Sequence, residues 1–231
     1  MHAAARTCFM VSATGAHRVE TIAGARHAWR FRPHFHAGDE VVRMLAGRAR
    51  LRLPDSCRDV VAGDTVVVPA GVVHRFEPVD DNGWAFDSRF VSTAANDAAM
   101  PGSRHALGAQ AMALLAGRSS LHTDVEAIAQ ACAVSAGHLS RTFRRETGTS
   151  LHNFHVLLAL HKAKALLRNQ ASIIDAALDT GFCDQAHLNR EFARTFGMTP
   201  AAFRQAWATA AWAASGSRSS AMYKVPGSGL S

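Results

Sequence analysis

Hydrophobic and polar positions follow different patterns in the two halves of the chain. In the first half, short apolar or β-branched segments at 41–45, 49–53 and 65–68 are separated by turn residues such as Gly47 and Gly63. Short strands spaced by turns in this way predict an antiparallel barrel or sandwich. From about residue 94 the sequence becomes rich in alanine and leucine, which indicates helices.

The pattern predicts an α+β protein of two domains. A helix is predicted over 106–115, a break over 117–120, and at least four further helices between 123 and 212. Because the last stretch is rich in serine and glycine, we predict disorder there. The predicted units are an N-terminal antiparallel β-barrel over 1–95, an interdomain helix and linker over 96–118, an all-helical domain over 119–212, and a disordered tail over 213–231.

A helix-turn-helix unit is predicted near the C-terminal end. Ile173 and Ala177 lie on the apolar side of a short helix, and Gly181 supplies the turn after it. Asp184 is a good N-cap for the next helix. That helix carries apolar residues at every fourth position, which predicts a buried stripe made of Leu188, Phe192 and Phe196.

The polar side of this second helix carries side chains that suit the edges of DNA bases. Gln185, Asn189 and Arg190 lie off the buried stripe, and Arg194 continues the basic side. Arginine pairs with guanine through two hydrogen bonds in the major groove, and glutamine or asparagine pairs with adenine. A short helix, a tight turn and a helix with these residues are typical of a helix-turn-helix unit that reads DNA bases, called a reader below.

An earlier segment repeats this plan. Thr123 or Asp124 caps a short helix, a turn follows near 134–135, and Leu139 with Phe143 forms the buried stripe of the second helix. The polar residues that remain off the stripe are Ser140, Arg141, Arg144 and Arg145. Between the two units, an apolar run over 154–167 predicts a long spacer helix.

From about Ser119 to Arg204 the chain resembles the AraC/XylS family of transcriptional regulators. It departs from the family at Ala159, where arginine is frequent, and at Ser150, where proline is common. Neither departure breaks a hydrophobic stripe. The most specific match is the string Gly181-Phe182-x-Asp184-Gln185-x-His187-Leu188-x-Arg190-x-Phe192-x-x-x-Phe196-Gly197-x-Thr199-Pro200.

The resemblance implies two readers that enter successive major-groove segments on one face of the DNA. It places base-contacting positions at Gly137, Ser140, Arg141, Gln185, Ala186, Asn189 and Arg190. Because Gly137 and Ala186 lack polar side chains, we expect base reading by Arg141, Gln185, Asn189 and Arg190. Candidates for phosphate contacts, or else a solvated helix face, are Arg144, Arg145 and Arg194.

Four side chains in the first half are of types that bind metals or polar ligands. His34 and His36 point to the same side of a strand. Their spacing to Glu40 and Gly47, and the later run Gly63-x5-Pro69-x-Gly71-x2-His74, resemble the two cupin motifs; Pro78 replaces the final asparagine of the second. In that family the matching positions would meet around a divalent metal inside the barrel, and they are His34, His36, Glu40 and His74.

Three imidazoles and one carboxylate suit Zn, Fe, Mn or Ni. Two alternatives remain open from the sequence: a metal-free effector pocket, and histidines with a purely structural role. Other histidines, such as His161, are expected to be ordinary core or surface residues. The spacer lysines Lys162 and Lys164 are expected to be solvated charges. Trp84, Phe86 and Phe90 are expected in the core.

Two further patterns leave alternatives open. Arg48, Arg50 and Arg52 alternate with apolar residues, so this basic row either faces solvent or contacts an anionic effector or the DNA-binding half. The leucines of the helix over 106–115, together with Met112, either form a dimer seam or pack on the N-terminal half.

Composition and charge narrow the class of protein. The 231 residues are 48% hydrophobic and 19% charged, which excludes global disorder. No apolar run approaches the ~20 residues that span a bilayer, and we see no signal peptide. The four cysteines are far apart, which indicates thiols in a reducing cytoplasm. A net charge of +7 suits an anionic partner, although the excess is spread along the chain.

These patterns together predict a cytoplasmic, sequence-specific DNA-binding regulator, with the family leaning towards activation. We expect promoter DNA, a small-molecule or metal effector in the barrel, a second copy of the chain and RNA polymerase as partners, and no catalytic residues. The alternative is a metal-dependent cupin enzyme, of dioxygenase or isomerase type, with a helical accessory domain. A helical adaptor that does not touch DNA explains Gln185, Asn189 and Arg190 less well.

Overall fold

The computed structural model describes residues 6–14, 17–27, 31–93, 102, 105–214 and 223–224. The predicted disordered tail and the first part of the predicted linker fall largely outside the described residues. Within that tail the prediction of disorder is wrong for Tyr223–Lys224, which form a short strand paired with residues 8–9.

The first half forms an antiparallel, cupin-like β structure, as predicted. Its sheet has the order β4-β3-β7-β2-β1-β8, and β5 and β6 also pair with β3. The strands are β1 (Arg6–Thr14), β2 (His17–His27), β3 (Asp39–Arg52), β4 (Cys57–Val61), β5 (Thr65–Val68), β6 (Arg75–Pro78), β7 (Trp84–Thr93) and, near the C-terminus, β8 (Tyr223–Lys224).

The prediction of two strands separated by a turn at Gly47 is wrong. Strand β3 continues through Gly47, and a register shift against β7 lies between Met44 and Ala46. Gly47 has a φ of 73°, and a Cβ atom there would lie 2.2 Å from the Gly83 carbonyl oxygen. The glycine therefore lets the strand bend close to β7 instead of turning back. Before the bend β3 pairs with β5, and after it β3 pairs with β4 and β6.

Alternation along the strands fills the interior of the barrel. On β3, Val42 and Met44 are buried, whereas Arg43 and Leu45, which follow them in alternation, are exposed. Trp84 and Phe86 from β7 belong to the same core, so their predicted burial is confirmed. Glu40 lies on the same inward face of β3 as Val42 and Met44.

The second half is helical. None of the helices among the described residues is long and apolar enough to cross a bilayer. The helices are α1 (Ala106–Ala116), α2 (Val125–Ala131), α3 (Ala136–Thr147), α4 (Leu151–Arg168), α5 (Ile173–Asp179), α6 (Gln185–Phe196) and α7 (Pro200–Ala214).

Helix α1 packs on the helical half. It contacts α2, α3 and α4, and its residues Met112 and Leu115 share an apolar core with Leu139 and Phe143. Packing on α2, α3 and α4 thus accounts for the burial of α1, and the same apolar core reaches Val73 of the barrel. The dimer seam stays a prediction.

One apolar core runs across both halves of the molecule. Phe9 of β1 stacks on Phe203 of α7 with ring centroids 5.6 Å apart. The rings of Phe35 and of Phe154 on α4 are stacked, with their centroids 6.1 Å apart. The two halves are therefore joined by packed aromatic side chains as well as by the linker.

Candidate functional site

Each predicted reader has a capped recognition helix. Asp184 Oδ1 accepts a hydrogen bond from the His187 backbone N–H at 2.6 Å at the start of α6. Ser135 Oγ accepts one from the His138 backbone N–H at 3.3 Å at the start of α3. A side-chain cap satisfies an otherwise unpaired N–H group in the first turn. Helix α6 therefore begins at the cap that the sequence predicts, and α3 begins directly after the predicted turn.

The turn before α6 depends on a glycine. Gly181 has a φ of 87°, and a Cβ atom at this position would lie 2.7 Å from the Ser119 carbonyl oxygen. The chain that enters the first reader therefore passes directly against the turn of the second. A residue with a side chain would have to push the two apart.

The apolar stripes hold both recognition helices against the core. Leu139 and Phe143 of α3 are fully buried, and so are Leu188 and Phe192 of α6. The predicted DNA-contacting residues lie off these stripes. Ser140, Arg141, Arg144, Arg145, Gln185, Arg190 and Arg194 are exposed, and Asn189 is half-buried. The structure thus leaves the side chains proposed for base and phosphate contacts at the surface.

A second cluster lies in the barrel, where His34, His36 and His74 meet. One ligand nitrogen from each of the three rings lies within 4.8 Å of the others. His34 and His74 also exchange backbone hydrogen bonds of 2.9 and 2.8 Å. The fourth predicted residue, Glu40, joins them: its Oε2 lies 2.8 Å from His74 Nε2 and 3.6 Å from His36 Nε2.

Backbone carbonyls orient two of these rings. Nδ1 of His34 donates a hydrogen bond to the Arg32 carbonyl at 2.7 Å, and Nδ1 of His74 donates one to the Val72 carbonyl at 2.9 Å. In a neutral ring the other nitrogen, Nε2, then presents a lone pair. This arrangement resembles that of metal-binding histidines, whose second nitrogen is held by a carbonyl or a carboxylate.

The surroundings of these side chains favour the protonation states in which they can bind a metal. Burial lowers the pKa of His34 to about 4, with a further contribution from His74, and lowers the pKa of His36 well below its ordinary value. Burial alone would raise the pKa of Glu40, but His74, His34 and the Ser88 hydroxyl outweigh it and lower the pKa overall. Neutral His34 and His36 beside an ionised carboxylate are the protonation states that metal coordination requires.

The residues present fit a divalent metal. Among the described residues, the buried atoms His36 Nε2, His74 Nε2 and Glu40 Oε2 have no hydrogen-bond partner. Although His74 Nε2 and Glu40 Oε2 are only 2.8 Å apart, they do not form a well-directed hydrogen bond. Two lone pairs that face each other in a buried site repel unless a proton or a cation lies between them.

The helical half closes the cavity above this cluster. Apolar side chains of the barrel, among them Phe31, Trp84 and Phe86, line one side of the cavity. The helices supply the other wall, made of Lys164, Thr195, Phe196, Met198 and Phe203. The cavity is therefore shared between the barrel, the spacer helix α4, the end of the recognition helix α6 and α7.

A buried ion pair holds this wall in place. The Glu20 carboxylate on β2 accepts hydrogen bonds from Lys164 at 3.2 Å, Arg168 at 2.8 Å and Trp207 Nε1 at 3.2 Å. Burial would raise the pKa of Glu20, but the two cations lower it to about 2. The expectation that Lys164 is solvated is wrong, because the docked barrel buries it; Lys162, by contrast, is exposed.

The prediction that His34 and His36 lie on a strand is wrong, because apart from an isolated bridge between His34 and His74 the segment 32–36 is irregular. This segment also touches the recognition and spacer helices. Arg32 Nη1 lies 2.5 Å from Glu191 Oε2 of α6, and the Arg32 N–H faces the Arg194 carbonyl at 3.4 Å. Phe35, between the two histidines, stacks on His161 of α4 at 4.2 Å, and His161 Nε2 donates to the Phe35 carbonyl at 3.0 Å. Within this one segment, His34 and His36 belong to the histidine cluster, while Arg32 and Phe35 contact the helices.

Sequence reasoning missed this interface. Glu20, Arg32, His161 and Trp207 were not singled out as functional, and His161 was expected to be an ordinary residue. A weak signal was present: His161, Lys164 and Arg168 share one face of an otherwise apolar helix. Nothing in the sequence indicates which strand covers that face.

Comparisons with known proteins match both halves. The family model described as a helix-turn-helix domain matches residues 128–206, and the model described as a cupin domain matches residues 17–82. The "Probable transcription factor PqrA" of Proteus vulgaris is 37% identical over 82 residues, which cover 35% of this chain and 67% of that protein.

The chain belongs to the AraC/XylS family of transcriptional regulators. Two longer regulators match the same half. The "HTH-type transcriptional regulator GlxA" of Rhizobium meliloti is 34% identical over 100 residues, covering 40% of this chain and 31% of GlxA. The "HTH-type transcriptional activator RhaS" of Escherichia coli is 35% identical over 81 residues, covering 35% of this chain and 29% of RhaS. The match thus spans less than a third of either protein.

This AraC/XylS regulator combines a C-terminal helix-turn-helix domain with an N-terminal cupin domain. The sequence-based identification of the family and of both architectures is confirmed. The matched relatives are named as transcription regulators or factors.

Proposed function

We propose that this protein is a sequence-specific DNA-binding transcription regulator in which α3 and α6 read base edges. The observation that carries this proposal is the placement of Arg141 and Arg190. Both are exposed on capped helices whose opposite sides are buried. A recognition helix needs this combination, because its backbone must be fixed while its polar side chains reach into the major groove.

The proposed roles differ along each helix. Arg141, Gln185, Asn189 and Arg190 read bases, since their guanidinium and amide groups match guanine and adenine edges. Ser140 lies at a position that faces the bases in this family. Arg144, Arg145 and Arg194 contact phosphates, which fixes the protein on the duplex without adding sequence information.

The barrel is proposed to hold the effector. His34, His36, His74 and Glu40 would bind one divalent ion, with Zn, Fe, Mn or Ni suited to three imidazoles and a carboxylate. When bound, the ion would supply positive charge and open coordination positions for an acidic or polar ligand. The unpartnered buried nitrogens and the carboxylate oxygen support this assignment.

An effector in the barrel would control DNA binding through the helical wall of the cavity. An effector that favours one arrangement of Lys164, Phe196 and Phe203 shifts the population of that arrangement. Because Phe196 ends α6, a shift of this wall changes the support of the second reader. The Arg32 contacts to Glu191 and to the Arg194 carbonyl give a second route from the histidine segment to α6.

Several features of the whole protein follow from its family and are proposed on that basis. We propose activation rather than repression, in line with the name of RhaS. A homodimer, contact with RNA polymerase and action in the cytoplasm complete the proposal. The alternative, a metal-dependent cupin enzyme, is favoured by the ligand set, but it gives no role to the exposed polar faces of α3 and α6.

The proposal is tested by selecting duplexes from a random-sequence library with the full chain. We expect an enriched motif with two half-sites whose centres are about one helical turn apart, because two linked readers on one face of DNA require that spacing. Enrichment must disappear when Arg141→Ala and Arg190→Ala are combined. A chain that folds but enriches no sequence would contradict the proposal.

A further inference from the structure

A basic groove lies where the barrel meets the first reader. It has a volume of about 370 Å³ and lies between the ends of the barrel strands and the junction of α3 with α4. Four arginines line it, three from the barrel and one from α3: Arg32, Arg52, Arg75 and Arg144. Arg32 forms an ion pair with Glu191 of α6, which links the barrel to the second reader.

Two of these arginines are held in position by one carboxylate. Arg52 Nε donates to Glu77 Oε1, and Arg75 Nη2 lies 3.2 Å from Glu77 Oε2. The side chains of Arg52 and Arg75 remain 43% and 38% exposed, whereas Glu77 is 13% exposed. Two guanidinium groups around one shielded carboxylate leave net positive charge facing the groove. Guanidinium forks match phosphate oxygens through paired hydrogen bonds.

Arg144 connects the groove with the reading face of α3. It lies three and four positions after Arg141 and Ser140, and seven after Gly137, so these residues share one side of the helix. Gly137, Ser140 and Arg141 are the positions that face bases in this family. A duplex on that face would carry its backbone past Arg144 towards the mouth of the groove.

The arginine row of β3 gains a role from this position. The sequence left open whether Arg48, Arg50 and Arg52 face solvent or the DNA-binding half. Arg48 is exposed, and Arg50 pairs with Asp59 at 2.7 Å on the neighbouring strand β4. Arg52 is the member that reaches the groove beside Arg144.

We propose that the barrel itself binds DNA, with Arg52 and Arg75 contacting backbone phosphates next to those contacted by Arg144. This inference rests on the proposed function, because it needs the first reader to lie in the major groove. The DNA-binding surface then extends beyond the helical half. A change in how the barrel docks would alter affinity directly, by adding or removing these phosphate contacts.

The test is the salt dependence of binding to a random-sequence duplex by the full chain. For Arg52→Gln combined with Arg75→Gln, we expect weaker binding at low salt. The slope of log K against log salt should be reduced in magnitude by about 1 to 2, since each lost phosphate contact removes close to one released counterion. The loss should be similar on all sequences, because phosphates carry no sequence information.

The chain offers a matched control. Arg43 and Arg89 also share one carboxylate, Asp87, at 3.6 and 3.5 Å, but they are not among the residues that line the groove. Arg43→Gln combined with Arg89→Gln should leave the slope unchanged. Arg52→Lys combined with Arg75→Lys keeps the charge and should retain most of the slope, which separates loss of charge from loss of fold.

An unchanged slope in the Arg52→Gln and Arg75→Gln variant, with Arg190→Ala still weakening binding to a selected duplex, would overturn this inference and leave the proposed function standing. Absence of DNA binding by the unaltered chain would overturn both. Pyrophosphate titrated without DNA tests a small-ligand site. Tight, saturable binding that these variants abolish while their DNA binding stays intact would assign the groove to a free phosphate compound and contradict a DNA role.

Discussion

The Glu20 carboxylate of β2 accepts a hydrogen bond from the Lys164 ammonium of α4 at 3.2 Å, although 144 positions separate the two residues. Both are buried, and Arg168 and Trp207 converge on the same carboxylate. The pair joins the barrel to the helix that links the two readers. Breaking a buried pair by removing one partner is strongly destabilising, so this contact gives the first prediction.

Glu20→Gln should destabilise the protein at neutral pH, and the effect should fade in acid. The folded pKa of Glu20 is about 2, against an ordinary value of 4.5. A lowered carboxyl pKa contributes stability that is fully present above pH 4.5 and is lost as pH falls towards 2. The shift corresponds to roughly 3 kcal/mol at pH 7. Urea unfolding followed by tryptophan fluorescence at pH 7, 4.5 and 3 measures it.

The matched control is Glu126→Gln, which alters an exposed glutamate on α2. Its unfolding midpoint should stay close to that of the unaltered chain at every pH. If Glu20→Gln lowers stability by the same amount at pH 3 as at pH 7, the ionised form of Glu20 does not supply the stabilisation.

Metal content should depend on the histidine cluster. Protein purified without chelators is expected to contain about one divalent ion per chain by elemental analysis, because three imidazoles and a carboxylate complete a binding set. His36→Ala and Glu40→Gln should each lower the content sharply. His122→Ala changes an exposed histidine and should not. Metal that persists when His36→Ala and Glu40→Gln are combined would place the ion elsewhere.

Occupancy of the cluster should change DNA affinity through α4. We expect the ion to alter the Kd for a selected duplex by ~5- to 150-fold, and the duplex to alter metal affinity by the same factor, as linkage requires. His161→Leu removes the hydrogen bond to the Phe35 carbonyl and should reduce this coupling while leaving metal affinity intact. Fluorescence anisotropy with and without metal measures the coupling.

His155→Leu is the control for that experiment. His155 is also buried on α4, but it is hydrogen-bonded to Thr123 at 3.0 Å within the helical half. It should affect stability and leave the coupling unchanged. Equal loss of coupling in both variants would show that α4 merely becomes less stable.

The caps of the two recognition helices should differ in importance. Asp184→Ala is expected to cost about 1 kcal/mol of unfolding free energy, since a charged cap at a helix N-terminus also interacts with the helix dipole. Ser135→Ala should cost less, because its hydrogen bond is 3.3 Å long against 2.6 Å for Asp184. Chemical denaturation of both variants decides this. The reverse order would refute the ranking.

The sequence predicted the readers well because their signals are local. A cap such as Asp184, a glycine turn and apolar residues at every fourth position lie within about 20 residues of one another. The four candidate ligands of the barrel could be singled out because two motifs fix their spacing. Their convergence, with Glu40 Oε2 2.8 Å from His74 Nε2, required the structure.

The docking of the two halves was not predictable in the same way. Lys164 is a surface-type residue until Glu20 covers it, and no periodicity marks the pairing of β2 with α4. The conformation at Gly47 was also not predictable from the sequence. A glycine between two apolar runs suits a turn and a bulge equally, and only the close approach of the Gly83 carbonyl decides between them.

The most direct test of the central claim is competition binding to a selected operator by Arg141→Ala and Arg190→Ala at fixed salt. Each variant should lose ~1–3 kcal/mol on the operator and lose discrimination at one half-site only, because each arginine belongs to a different reader. Unchanged specific affinity in both variants, with their folds intact, would contradict the assignment of α3 and α6 as the elements that read DNA.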